Sequence, residues 1–290
     1  MLKNKNIVFS YPFSSAILND FFFKHSSDRL VQIFNEFDFF DKIDKNWTLR
    51  DFFENSYKQL LKNYRNEYVF KNAIAKKILI GRHSIKSSSL FSELRVGTSK
   101  ADIVIFNGTS HVYEIKTELD NLDRLQGQIE DYKQVFEFVN VVTVESKINE
   151  IKSLLNEEIG IIILSDKYSL KTIRKAQSGL QSLEKGAIFS LLRKNEYLKI
   201  IEKYYKNIPN VPNTKIYNVC QELFVDLSID IIQKEVLNTL KNRRNHSQLV
   251  DTIKKFPDSL KMAVIEANLT VAEQNDFLRL LNQRIYTVLK

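Results

Sequence analysis

From Glu93 to Lys116 the chain reads ELRVGTSKADIVIFNGTSHVYEIK, and apolar and polar residues alternate along most of it. Period-two alternation predicts strands buried on one face. Three are expected here: one carrying Glu93, one opened by Asp102, and one carrying Glu114 and Lys116. Asn107-Gly108 separates the last two, and glycine supplies the left-handed residue a tight hairpin needs. Further on, Leu122, Leu125, Ile129, Tyr132, Phe136 and Val139 recur at three and four, which predicts an amphipathic helix running into a β-branched strand. The apolar run IGIIILSD, Ile159 to Asp166, fits a buried parallel strand. A strand, a crossover helix and a strand form a parallel unit, so the expected fold is α/β with a mixed sheet of about five strands flanked by helices.

The flanks read as helical. SSAILNDFFF and SDRLVQIFNEFDFF, in residues 1–47, suggest a cap whose phenylalanines pack on a larger body. Thr48 and Asp51 make a capping-box-like start to helical sequence that ends at Gly81. Beyond Leu170 the pattern is helical to the end, broken around Pro209 and Pro212 and again near Pro257. The expected division is a helical cap (1–47), an α/β core (48–169) and a basic helical lobe (170–290).

Register decides what the central strands present. Glu114 and Lys116 share one face because strand residues two apart point the same way. Asp102 opposes Glu114 only in the register that sets Phe106 against Ser110 and leaves a three-residue loop, Asn107-Gly108-Thr109. A slip of one residue would send Asp102 to the other face. The same register sets Ile103 against Tyr113 and Ala101 against Ile115, a continuous apolar underside. Carboxylates about 5 Å apart repel unless a cation sits between them. Oxygen ligands without His or Cys suit magnesium or manganese, and a lysine beside such an ion can orient an attacking water.

Lys100-Ala101-Asp102, followed twelve positions later by Glu114-Ile115-Lys116, resembles the signature of the PD-(D/E)XK nuclease superfamily, with Ala101 where the name has proline. The resemblance implies a restriction-endonuclease-like core and magnesium-dependent cleavage of nucleic acid. Asp102 and Glu114 would be metal ligands and Lys116 would serve the attacking water. KADIVIFNGTSHVYEIKTELDNLDRL also resembles a largely uncharacterised bacterial family within that superfamily. Gln128 and Tyr132, neighbours at i and i+4 on the helix after the Glu-x-Lys strand, resemble the additional motif of RecB-type and Holliday-junction-resolvase-like nucleases. Tyr132 equally suits a core position. Relatives of this fold bring further acids to the metal, and the candidates are Glu67 and Glu93. The plainer accounts are a helix-surface pair of Glu67 with Lys71 and a strand pair of Glu93 with Arg95.

The whole chain of 290 residues carries a net charge of +8, and from Lys167 to Lys206 ten basic residues face three glutamates. Such a segment is the footprint of a phosphate-backbone binder or simply a solvated helix face. Candidate nucleic-acid contacts are Arg82, in a polar basic loop, Lys100, Lys171, Arg174 and Lys175. The expected partner is nucleic acid, DNA before RNA. A homodimer would let one site per chain cut both strands, and a regulatory partner protein would fit a toxin or phage-defence effector. A non-cleaving binding module on the same fold is the alternative. One cysteine, Cys220, and no apolar run near the ~20 residues of a membrane span point to a reduced, cytoplasmic protein. His25, His83, His111 and His246 have no zinc-ligand spacing, and phosphate-loop and nucleophile-elbow motifs are absent from the sequence.

Overall fold

The computed structural model describes residues 5–40, 43–81 and 85–289. Its frame is one mixed sheet of six strands in sequence order: β1 (Ser89–Val96), β2 (Ser99–Phe106), β3 (Ser110–Ile115), β4 (Phe138–Thr143), β5 (Gly160–Leu164) and β6 (Leu170–Arg174). β1, β2 and β3 are antiparallel, β3, β4 and β5 parallel, and β6 antiparallel to β5. The sixth strand corrects the expected helical reading beyond Leu170. LKTIR is an edge strand, and its Lys171, Thr172 and Arg174 replace the apolar alternation that marks inner strands while discouraging pairing with another chain.

The β2–β3 hairpin has the expected register. Phe106 pairs with Ser110 and Ile103 with Tyr113, the Asn107 N–H donates to the Thr109 carbonyl, and Gly108 takes φ +98°. The ladder stops there. At the next step the Asp102 carboxylate accepts the Ile115 N–H at 2.7 Å, so the expected pair of Ala101 with Ile115 does not form and Ala101 packs in the opposite core.

Helices cover both faces. On one lie α1 (Ser15–Phe23), α2 (Asp28–Glu36), α3 (Leu49–Asn63) and α4 (Glu67–Ile74), the last running on as a π-helical segment over Ala75–Ile80. The Thr48–Asp51 capping box starts α3, and the Asn66 side chain caps α4. On the other face lie α5 (Leu125–Lys133), α6 (Ile148–Leu154), α7 (Lys185–Phe189), α8 (Lys194–Tyr205), α9 (Asn213–Asp226) and α10 (Ile229–Arg243). The chain then returns to the first face with α11 (Lys261–Ala267), α12 (Val271–Leu281) and α13 (Ile285–Val288). Residues 170–290 thus contribute to the sheet and to both layers. The first layer is sewn by Phe22 against Phe277, by a bridge between Thr48 and Arg284, and by bonds from Leu49 N–H to Gln283 and from Ile285 N–H to Trp47. Among the described residues, no helix is long and apolar enough to cross a membrane.

Candidate active site

The C-terminal end of β3 carries Glu114, and Lys116 follows one residue past it, both of them buried. Lys116 is fixed through its backbone: its N–H donates to Val142 of β4, and its carbonyl accepts the Thr143 hydroxyl. Helix α5 is tied to the β1–β2 turn by Asp131, which accepts from the Thr98 amide and hydroxyl. That clamp sets Gln128 and Tyr132 over β3.

Four of the side chains singled out in the sequence form a chain of contacts. The Lys116 ammonium donates to Glu114 Oε1 at 2.9 Å and to Gln128 Oε1 at 2.8 Å. The Tyr132 hydroxyl donates to Glu114 Oε2 at 2.8 Å. Glu114 is 1% exposed, Lys116 8% and Tyr132 0%. Tyr132 therefore fills both of its expected places: its ring packs in the core and its hydroxyl holds the carboxylate. Burial, and then the Glu114 charge, raise the Tyr132 hydroxyl above its usual range, so it stays a proton donor.

Asp102 stands beside this group. Burial first, then the Glu114 and Glu67 charges, push its carboxyl up to about 8, against only the Ile115 N–H and Lys71 as compensation. Two carboxylates in one dry site, one of them reluctant to ionise, suit a divalent cation. The donor set is all oxygen, and each Glu114 oxygen has a lone pair left beyond its hydrogen bond. Asp102 and Glu114 therefore fit a magnesium or manganese ion that would take its other ligands from water and substrate.

Glu67 and Glu93 are placed otherwise. The buried Lys71 ammonium lies 2.6 Å from Glu67 Oε1 and 3.3 Å from Glu93 Oε1, and Lys100 pairs with the other Glu93 oxygen. The Lys100 hydrogen bond, against burial, holds the Glu93 carboxyl below its usual range. Burial would lower the Lys71 pKa, but Glu67, then Glu93 and Asp102, more than offset it and raise it. Among the described residues, no three His, Cys, Asp or Glu side chains converge as a metal-holding group. Glu67 and Glu93 are thus both salt-bridged to Lys71, with Glu67 close enough for its charge to act on Asp102 as well. The expected pair of Glu93 with Arg95 is replaced because Glu93 adopts φ +56°, which breaks the alternation that would set the two side by side. Lys71 is the residue the sequence reading missed as part of the site; its spacing from Glu67 marked only a helix-surface pair.

The basic candidates are scattered. Arg82 lies outside the described residues. Lys171 on β6 and Lys175 just past its end are exposed, three strands and roughly 14 Å from β3. Arg174 is turned inward, donating to the Ile159 carbonyl at 2.7 Å and pairing with Glu157. Within the same basic segment, Lys185 caps the Val225 and Leu227 carbonyls and Lys203 pairs with Glu235.

A family model described as Bacteriophage P4 protein cII matches residues 61–264, more than two thirds of the sequence. The chain belongs to the bacteriophage P4 protein cII family. Protein cII of Enterobacteria phage P4 is 26% identical over 164 residues, which cover 55% of this chain and 61% of that protein. The chain thus spans less than two thirds of that relative's length. No solved structure matches. The side chains described around Asp102 and Lys71 all fall inside the stretch matched by the cII family model, as does the whole sheet.

Proposed function

We propose that this chain is a magnesium- or manganese-dependent nuclease that hydrolyses phosphodiester bonds of nucleic acid, with DNA the favoured substrate, on a restriction-endonuclease-like core. The observation that carries this reading is the buried Glu114–Lys116–Gln128–Tyr132 chain with the charge-averse Asp102 beside it. Order along the chain supports it too: helix, three antiparallel strands, crossover helix, parallel strand.

When bound, the ion would polarise a phosphoryl oxygen and acidify a water. Asp102 and Glu114 would hold it. Lys116, kept in place by Gln128, presents an ammonium for orienting the attacking water and for steadying charge on the phosphate. Tyr132 fixes the Glu114 carboxylate in one orientation, which spares the site that reorganisation during the reaction.

The test is incubation with end-labelled and internally labelled DNA and RNA, single and double stranded, in magnesium, manganese or chelator. Metal-dependent products lost in Asp102→Asn and Glu114→Gln support the reading. Chelator-insensitive binding without products supports a non-cleaving module, the reading favoured by the lack of three converging metal-binding side chains among the described residues.

A further inference from the structure

Lys71 is a full positive charge sealed into the acidic end of the site. It is 7% exposed, sits in direct contact with Glu67 and Glu93, and feels the Asp102 charge as well. Its backbone position on α4 is pinned on both sides: Phe70 and Val69 are fully buried, and the neighbouring Asn72 joins α4 to the start of α11 by accepting the Met262 N–H at 2.9 Å and donating to the Asp258 carbonyl at 2.8 Å. Its carboxylate partners reach the surface, with the Glu67 side chain 53% and the Glu93 side chain 48% exposed, while the ammonium end itself is held beneath them. A buried cation among three carboxylates does electrostatically what a metal ion does, at a fixed place and without an ion to lose.

We propose that Lys71 fills a second cation position of this site, so that Asp102 and Glu114 take a single divalent ion while Glu67 and Glu93 take none. The inference rests on the metal-dependent reading given above. It accounts for the exclusion of Glu67 and Glu93 from the donor set: their charge is spent on Lys71, and Glu93 has Lys100 besides. It also places a permanent positive charge beside the ion, where a substrate phosphate would meet both.

The experiment is a manganese titration of the full chain, read by calorimetry and by electron paramagnetic resonance. Wild type is expected to take one ion per chain with the spectrum of an isolated ion. Lys71→Met should take a second ion and show the exchange-broadened spectrum of a coupled pair. Two ions in wild type, or one ion in a Lys71→Met protein whose circular dichroism matches wild type, would each overturn the inference while leaving the metal site standing. No ion in wild type would remove the metal reading itself and the inference with it. Lys71→Gln, which keeps the length and a hydrogen-bonding end, answers the same question if the methionine variant does not fold.

Discussion

Replacing Asp102 with asparagine should stabilise the protein while abolishing its proposed activity. The carboxyl is raised from 3.8 to about 8, by burial first and by Glu114 second. An acid whose pKa is raised on folding contributes most below its unfolded value and loses that contribution as pH rises through the folded one. At about 1.4 kcal/mol per unit, the charge-averse site costs wild type up to about 4 kcal/mol at pH 7. Relaxation and water entry reduce this ceiling, so a gain of about 1–4 kcal/mol is expected for Asp102→Asn, whose amide oxygen can still accept the Ile115 N–H. The difference should be near zero at about pH 4, grow as pH rises, and level off above about pH 8. Urea unfolding followed by circular dichroism across that range measures it. Magnesium should stabilise wild type and not the variant, narrowing the gap. A variant no more stable than wild type at neutral pH, or a difference independent of pH, would refute the reasoning.

Further outcomes follow from other side chains. Lys116→Met should lower cleavage by about 10²–10⁴-fold with unchanged circular dichroism; a rate near wild type would take the ammonium out of the reaction. His246, buried and accepting the Leu90 N–H, has its pKa lowered to about 4 by burial and then by Arg244. The unfolded chain takes up that proton near pH 6.5 and the folded one does not, so stability should fall by up to about 3 kcal/mol as pH drops through this window. His246→Asn should flatten that part of the profile, and an unchanged slope would assign it to other groups. Reversing Lys171 and Lys175 together should weaken duplex binding and reduce its salt slope by about 0.9 for each lost phosphate contact. Binding unchanged in affinity and salt dependence would leave these lysines with edge protection alone.

The heart of the site is readable in the sequence because the same alternation that buries Ile103 and Tyr113 also orients Glu114, and because the Asn107-Gly108-Thr109 loop admits one pairing. Helical spacing makes Gln128 and Tyr132 neighbours, and the resemblance to the RecB-type motif singled them out. What escapes the sequence is set by contacts between elements. A backbone twist at Glu93 turns its carboxylate away from Arg95, and no local pattern announces it. Whether Lys71 lies on a wet or a dry face of α4 depends on the elements packed around that helix, α3, α11 and β3. LKTIR looked helical because an exposed edge strand carries charges where an inner strand carries apolar side chains. Helical periodicity in residues 185–289 marks the helices well, but it does not say which side of the sheet each will cover.

The bonds joining Trp47 and Leu49 to residues 283–285 have a consequence for biosynthesis. A nascent chain can pair all six strands once Arg174 has emerged from the ribosome, yet the sheet's first face stays incompletely roofed until α11, α12 and α13 follow, starting at Lys261, Val271 and Ile285. Until then α4 has no α11 to lean on, and the ammonium that steadies the acidic pocket is not yet locked in place. Fragments that end before residue 283 would lack the bonds to Trp47 and Leu49 and leave part of that first layer uncovered, open to proteases.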